Sequence, residues 1–180
     1  MRILVTGPRQ WTDLHALQAG LDDIMTRVII SEYSGGITLV HGGAQGFDLM
    51  AAGEASERGW RVEKHEAEWG ALGRPRDLLA GHRRNQEMVD AGADACLAGI
   101  MLCIKPRCTV PQPHPTHGTM DCVGRVLLAG IRLFPVRLRG TSRWCGRRML
   151  YLDSEYKEAG CDWSRSCHCL LYRVMPFLSL

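Results

Sequence analysis

Apolar and polar positions along the 180 residues switch repeatedly between two periods. Arg2-Ile3-Leu4-Val5-Thr6 is a short apolar run stopped by Gly7-Pro8, which reads as a buried strand. Leu14, Leu17, Leu21, Ile24 and Val28 follow at helical spacing, a single stripe on one helix face. Thr12 or Asp13 can cap that helix, because a side-chain oxygen there accepts a backbone N–H of the first turn. Gly35-Gly36 breaks the chain, and Ile37 to His41 reads as a second buried strand.

The same alternation continues downstream. The turn Gly42-Gly43-Ala44-Gln45-Gly46 leads into a small-residue helix from Phe47 to Arg58, closed by Gly59. Trp60 to His65 is a third strand, weakened by Arg61, Glu63 and Lys64. A helix through Asn85, Met88 and Val89 ends near Gly92, and a fourth strand starts at Asp94. After a proline-containing loop from Lys105 to His117, Gly118-Thr119 opens a helix that runs to Gly130. Ile131 to Leu138 is the fifth strand, with Pro135 marking an edge or a strand end. Strand–helix alternation repeated five times predicts an α/β fold, a doubly wound sheet of about five parallel strands with helices on both faces. The expected domain is residues 1–138, followed by an irregular extension over 139–180.

Composition sharpens that division. Residues 1–100 carry 10 Lys/Arg against 14 Asp/Glu, whereas residues 101–180 carry 12 against 5. Seven of the eight cysteines lie in the last eighty residues. No run approaches the ~18 apolar residues that a membrane span needs, and the first apolar stretch is too short for a signal peptide. A cytoplasmic protein with no membrane partner is the expectation.

Ligands of doubly wound folds bind beyond the carboxyl ends of the strands. Three segments fall there: Thr6 to Trp11 with Gly7 and Arg9, His41 to Asp48 with Gly42, Gly43, Ala44 and Gly46, and Thr116 to Thr119 with Gly118. Glycines let backbone N–H groups approach an anion, and helix N-termini add partial positive charge. Arg9 and Arg84 are suited to charge-assisted bonds with a phosphate. Trp11 either stacks on a base or packs the helix entry. Asp48 either bonds a ribose hydroxyl or favours its own helix N-terminus. His41 and His117 are candidate acid–base groups or satisfied strand-end residues. Neither turn is a Walker A loop, and neither matches the dinucleotide fingerprint.

Taken in order, Thr6 to Asp13, His41 to Asp48, Arg84-Asn85-Gln86-Glu87-Met88 and Gly118-Thr119-Met120-Asp121-Cys122 resemble the YspA-like (YpsA-related) branch of the SLOG superfamily. That superfamily also includes the Lonely guy phosphoribohydrolases and DprA, and this branch is frequent in actinobacteria and their phages. The resemblance covers roughly residues 1–138. It implies a Rossmann-like domain that binds a nucleotide or nucleotide-derived small molecule, as a sensor or sequestering protein. Gly42, Gly43 and Gly46 match the first glycine motif, Gly118 and Thr119 the second, and Arg84 the catalytic arginine of the Lonely guy enzymes, with Asn85 beside it. Those enzymes carry a glutamate where this chain has Cys122. Asp121 stands one position earlier, turned by about 100° on a helix. Phosphoribohydrolase-like N-glycosidic cleavage by Arg84 and Asp121 is therefore the alternative to binding alone. Relatives are often dimers or larger, so a homo-oligomer is an expected partner. No cofactor is expected.

The extension holds Arg139, Arg143, Trp144, Arg147, Arg148 and Tyr151, a composition suited to DprA-like contact with single-stranded DNA, the less favoured partner. Its Cys145, Cys161, Cys167, His168 and Cys169 lack the paired knuckles of structural zinc sites. Cys103 and Cys108 stand a step wider than the usual pairing. No metal is expected.

Overall fold

The computed structural model describes residues 1–29, 35–70 and 77–137. Within them the elements alternate: β1 (Arg2–Thr6), α1 (Leu14–Ile29), β2 (Thr38–His41), α2 (Phe47–Glu57), β3 (Arg61–Lys64), α3 (Ala80–Asp90), β4 (Ala95–Ile100), α4 (His117–Leu128) and β5 (Arg132–Arg137). All strand pairs are parallel, in the order β3-β2-β1-β4-β5. The extension over 139–180, with its cysteines, arginines and expected DNA contact, lies outside the described residues.

Period-two patterning places β1 at the centre. Ile3 and Val5 face one side with Leu17, Leu21, Ile24, Phe47 and Ala51, under α1 and α2. Leu4 faces the other side with Val40, Met88, Cys96, Cys122 and Val126, under α3 and α4. Burying a strand on both faces demands a continuous apolar run, which Ile3-Leu4-Val5 supplies. β3 and β5 form the edges. Charged residues are tolerated in β3 because most of it is exposed, and Pro135 sits in β5 where, among the described residues, one side of the strand has no partner.

The helix starts follow capping chemistry. Asp13 Oδ1 accepts the Ala16 N–H at 2.9 Å, so Asp13 rather than Thr12 caps α1. Leu14 is 41% exposed, and the buried stripe begins at Leu17. Gly59 and Gly92 adopt positive φ just past α2 and α3, where an L side chain is strained.

The sheet order fixes where a ligand can sit. The chain leaves β1 toward β2 and β3, then returns across to β4 on the other side of β1. The carboxyl ends of β1 and β4 therefore flank a topological switch point.

Candidate functional site

Three loops meet at the carboxyl edge of the sheet: residues 7–13 after β1, 42–46 after β2 and 101–116 after β4. The first two are locked together. Phe47 and Trp11 both donate backbone N–H bonds to the Pro8 carbonyl, at 3.2 and 3.3 Å. Gly46 has φ +73°, and a Cβ there would lie 2.4 Å from the Arg9 carbonyl oxygen. A Cβ at Gly7 would meet the Phe47 ring at 2.3 Å. Both glycines are thus needed for close approach of chain to chain.

The glycine turn after β2 is organised by the protein's own acids and bases. Asp48 Oδ2 accepts the N–H groups of Gly42 and Ala44, at 3.1 and 3.2 Å. Nδ1 of the buried His41 accepts the Gly43 N–H at 3.1 Å. Three consecutive N–H groups of the turn thus point into the protein. Burial pushes the Asp48 carboxyl up to about 6, against the lowering influence of those N–H groups and of Arg84 and Arg9. Its other oxygen, Oδ1, is buried without a hydrogen-bond partner. Burial, reinforced by Lys64, Arg84 and His65, pushes the imidazole of His41 below its ordinary value and keeps it neutral.

Arg84 reaches this turn from α3. Its guanidinium donates to the carbonyl oxygens of Gly42 and, at 3.4 Å, of His65, while Nε donates to Asn85 Oδ1 at 3.1 Å. The guanidinium lies so close to Gly42 that a Cβ there would fall 1.5 Å from Nη1. Asn85 Nδ2 donates to Asp121 Oδ2 at 2.8 Å, so Arg84 and Asp121 stand on opposite sides of one amide. Asp121 is further bound by Arg125 at 3.1 Å and by His82 at 2.9 Å. Burial alone raises the Asp121 carboxyl, but bonds from Arg125, Asn85 and His82 outweigh it and hold the group below the usual range. A carboxylate held ionised in this way is a poor proton donor near neutral pH.

Cys122, at the position of the enzymes' glutamate, is fully buried among Leu4, Val40 and Met88. Burial pushes its thiol up to about 12, only partly offset by a hydrogen bond with Thr6. Thr6 at the end of β1 is itself 7% exposed. Trp11 is 2% exposed, its ring edge-on to Phe47 at 5.0 Å and its Nε1 donating to the Asp13 carbonyl. The indole packs the entry to α1 and offers no open face to a base. Arg9 is exposed and contributes charge toward Asp48.

At α4 the exposed Gly118 faces open space. No side chain caps the helix, because the Thr116 hydroxyl donates to buried Thr119 Oγ1 at 2.9 Å. Neighbouring side chains form a feature that sequence spacing had not indicated: donor atoms of Cys103, Cys108, His114 and His117 all lie within 4.8 Å of one another. By sequence Cys103 and Cys108 are set aside as a step too wide, yet the four residues between them fall at the wide end of knuckle spacing.

An open cavity of about 820 Å³ lies beside the loop after β3, lined by Glu66, Glu68, Trp69, Asp77 and Arg83. A smaller cleft of about 70 Å³ beside it includes Arg84. Among the described residues the wide cavity presents three carboxylates and one arginine. Among the described residues, no helix is long and apolar enough to cross a membrane.

A family model described as "YspA, cpYpsA-related SLOG family" matches residues 1–71. The "Gene 61 protein" of Mycobacterium phage D29 is 42% identical over 102 residues, covering 54% of this chain and 74% of that protein. No solved structure matches.

Proposed function

The chain belongs to the YspA, cpYpsA-related SLOG family, and on that premise we propose that it binds a nucleotide or nucleotide-derived small molecule at the carboxyl edge of β1, β2 and β4, as a sensor or sequestering protein. The observation that carries the proposal is Arg84. A side chain 42 residues away in sequence lies against Gly42 and brings a cation to the glycine turn. Arg9 adds a second positive charge from the loop after β1, and the uncapped start of α4 at Gly118 adds backbone donors.

The arrangement favours phosphate recognition around Arg84, Arg9 and Gly118. The turn's own N–H groups are occupied by Asp48 and His41, so Gly42, Gly43 and Ala44 act as scaffold. Asp48 serves the turn from inside the protein, with Oδ2 on the Gly42 and Ala44 N–H groups and Oδ1 buried. Retention of the ligand is favoured over its cleavage. The thiol of Cys122 is inert in the core, and Asp121 is tied to Arg125, His82 and Asn85.

The test is a thermal-shift screen of nucleotides on the full chain, followed by chromatography of whatever stabilises it. Stabilisation with the ligand recovered intact, and lost in Arg84→Ala, is expected. Free base plus ribose phosphate would replace the binder with a phosphoribohydrolase. No shift from any nucleotide would refute the proposal.

A further inference from the structure

The loop between β4 and α4 has little reason to hold its shape. It carries Pro106, Pro111, Pro113 and Pro115, and Ile104 is 62% exposed, so apolar packing contributes little there. Long irregular loops in compact domains generally need a specific restraint. Its two arms do meet at their base. Cys103 donates its N–H to the His114 carbonyl at 2.8 Å, Thr116 donates to Met101 at 3.0 Å, and Leu102 bridges Pro115 in antiparallel fashion.

Just beyond that base, four side chains converge on one another. Cys108 Sγ lies 3.1 Å from His114 Nε2 and 3.1 Å from His117 Nε2. The two imidazole rings are 4.7 Å apart, centre to centre. Cys103 and His114 are buried, at 8% and 3% exposure. All four donor atoms fall within 4.8 Å of one another. In a tetrahedral zinc site with Zn–N of about 2.0 Å and Zn–S of about 2.3 Å, donor atoms stand roughly 3.3–3.8 Å apart. The cluster is already near that size.

The surrounding hydrogen bonds orient the donors. His114 Nδ1 lies 2.7 Å from the Pro115 carbonyl oxygen, which can only accept. Nδ1 therefore carries the proton, and the Nε2 lone pair points toward Cys108 and Gln112, whose Nε2 is 3.2 Å away. A backbone carbonyl that fixes the tautomer of a histidine is a common outer-sphere feature of metal ligands. The Cys108 N–H donates to the Lys105 carbonyl at 3.2 Å, which curls the chain around the sulfur.

We propose that Cys103, Cys108, His114 and His117 form a structural zinc site. Two thiolates and two neutral imidazoles match the borderline softness of Zn²⁺, and four protein ligands leave no open position for catalysis. Two Zn–S and two Zn–N bonds form, and the two thiol protons are released to solvent. His117 is the first residue of α4, immediately before Gly118. The metal thereby fixes the start of the helix that borders the proposed nucleotide surface. The site itself does not rest on nucleotide binding, and a chain that held zinc and no nucleotide would leave it standing.

The experiment uses the untagged full chain, grown with added zinc and analysed by plasma mass spectrometry. Close to one zinc per chain is expected. After zinc removal, titration with Co²⁺ gives the visible bands of a tetrahedral site and thiolate-to-metal charge transfer in the near ultraviolet. Cys103→Ser with Cys108→Ser removes both signals. Serine at Cys145, Cys161, Cys167 and Cys169 leaves them unchanged, which separates this site from the thiols of the extension. His117→Gln, at an exposed position, keeps the far-ultraviolet circular dichroism. It weakens Co²⁺ by more than the roughly 10–100-fold typical of outer-sphere changes. Absence of zinc together with no charge-transfer band in the wild-type chain overturns the proposal. So does metal that survives the Cys103/Cys108 variant and disappears with the extension cysteines.

Discussion

Gly46→Ala and Gly42→Ala introduce the same methyl group four residues apart, with opposite consequences. At Gly46 the backbone has φ +73° and ψ −118°, a region an L residue occupies only under strain of about 1–3 kcal/mol. The new Cβ also falls 2.4 Å from the Arg9 carbonyl oxygen and 2.7 Å from that of Pro8. These are backbone atoms, and the Pro8 carbonyl accepts bonds from both Trp11 and Phe47. Pushing it away weakens two bonds worth about 0.5–1.5 kcal/mol each. The total is at most about 2–6 kcal/mol, or roughly 4–24 °C in Tm for a domain of this size. At Gly42 the obstacle is the end of a flexible side chain, Arg84. Swinging it out forfeits about 1 kcal/mol of hydrogen bonding, partly offset by the smaller entropy of the unfolded chain. Thermal unfolding followed by circular dichroism is the assay, with nucleotide thermal shift beside it. Gly46→Ala should lose several times more stability, whereas Gly42→Ala should lose the ligand shift at nearly native Tm. Equal losses of Tm, or a neutral Gly46→Ala, would refute the assignment of close contacts at the two turns.

Asp48 has a pH signature. Its folded value of about 6 lies above the reference of 3.8, so the folded state holds the proton more tightly. Its contribution to stability is then present below about pH 4 and declines as pH rises through 6, by at most about 3 kcal/mol. Asp48→Asn should flatten that part of the profile in urea titrations at pH 4.5 and 7, and an unchanged slope would assign it to other groups. Trp11→Ala should cost about 3–5 kcal/mol as a core truncation, read by urea unfolding. A small stability change with collapse of nucleotide affinity would place the indole against the ligand instead.

The fold was legible because each strand left a local signal. Ile3-Leu4-Val5 had to be buried on both faces, and of the two readings of Pro135, edge or strand end, the described residues place it within the outer strand β5. β3 read weakly for the same reason it is an edge, since its charged residues meet water. The site was less legible, because its residues are defined by partners distant in sequence. Nothing local announces that Asp48 folds back on Gly42 and Ala44, or that Phe47 covers Trp11. The thiol–imidazole cluster is not legible from the Cys103–Cys108 spacing alone, because it pairs the two ends of a loop. Its spacing, Cys-x4-Cys followed by His-x2-His, gains meaning only once the Leu102–Pro115 bridge closes that loop.

Placing β1 at the centre of the sheet also sets an order of assembly during synthesis. β2 can pair with it as soon as residue 41 is available, but its other neighbour, β4, begins at residue 95. At about 5–20 residues per second, that leaves the central strand with one edge unpaired for roughly 3–11 s on each nascent chain. Through that interval Ile3, Leu4 and Val5 form a sticky template, and Arg2 at its start is the charge that discourages a neighbouring chain from adding to it.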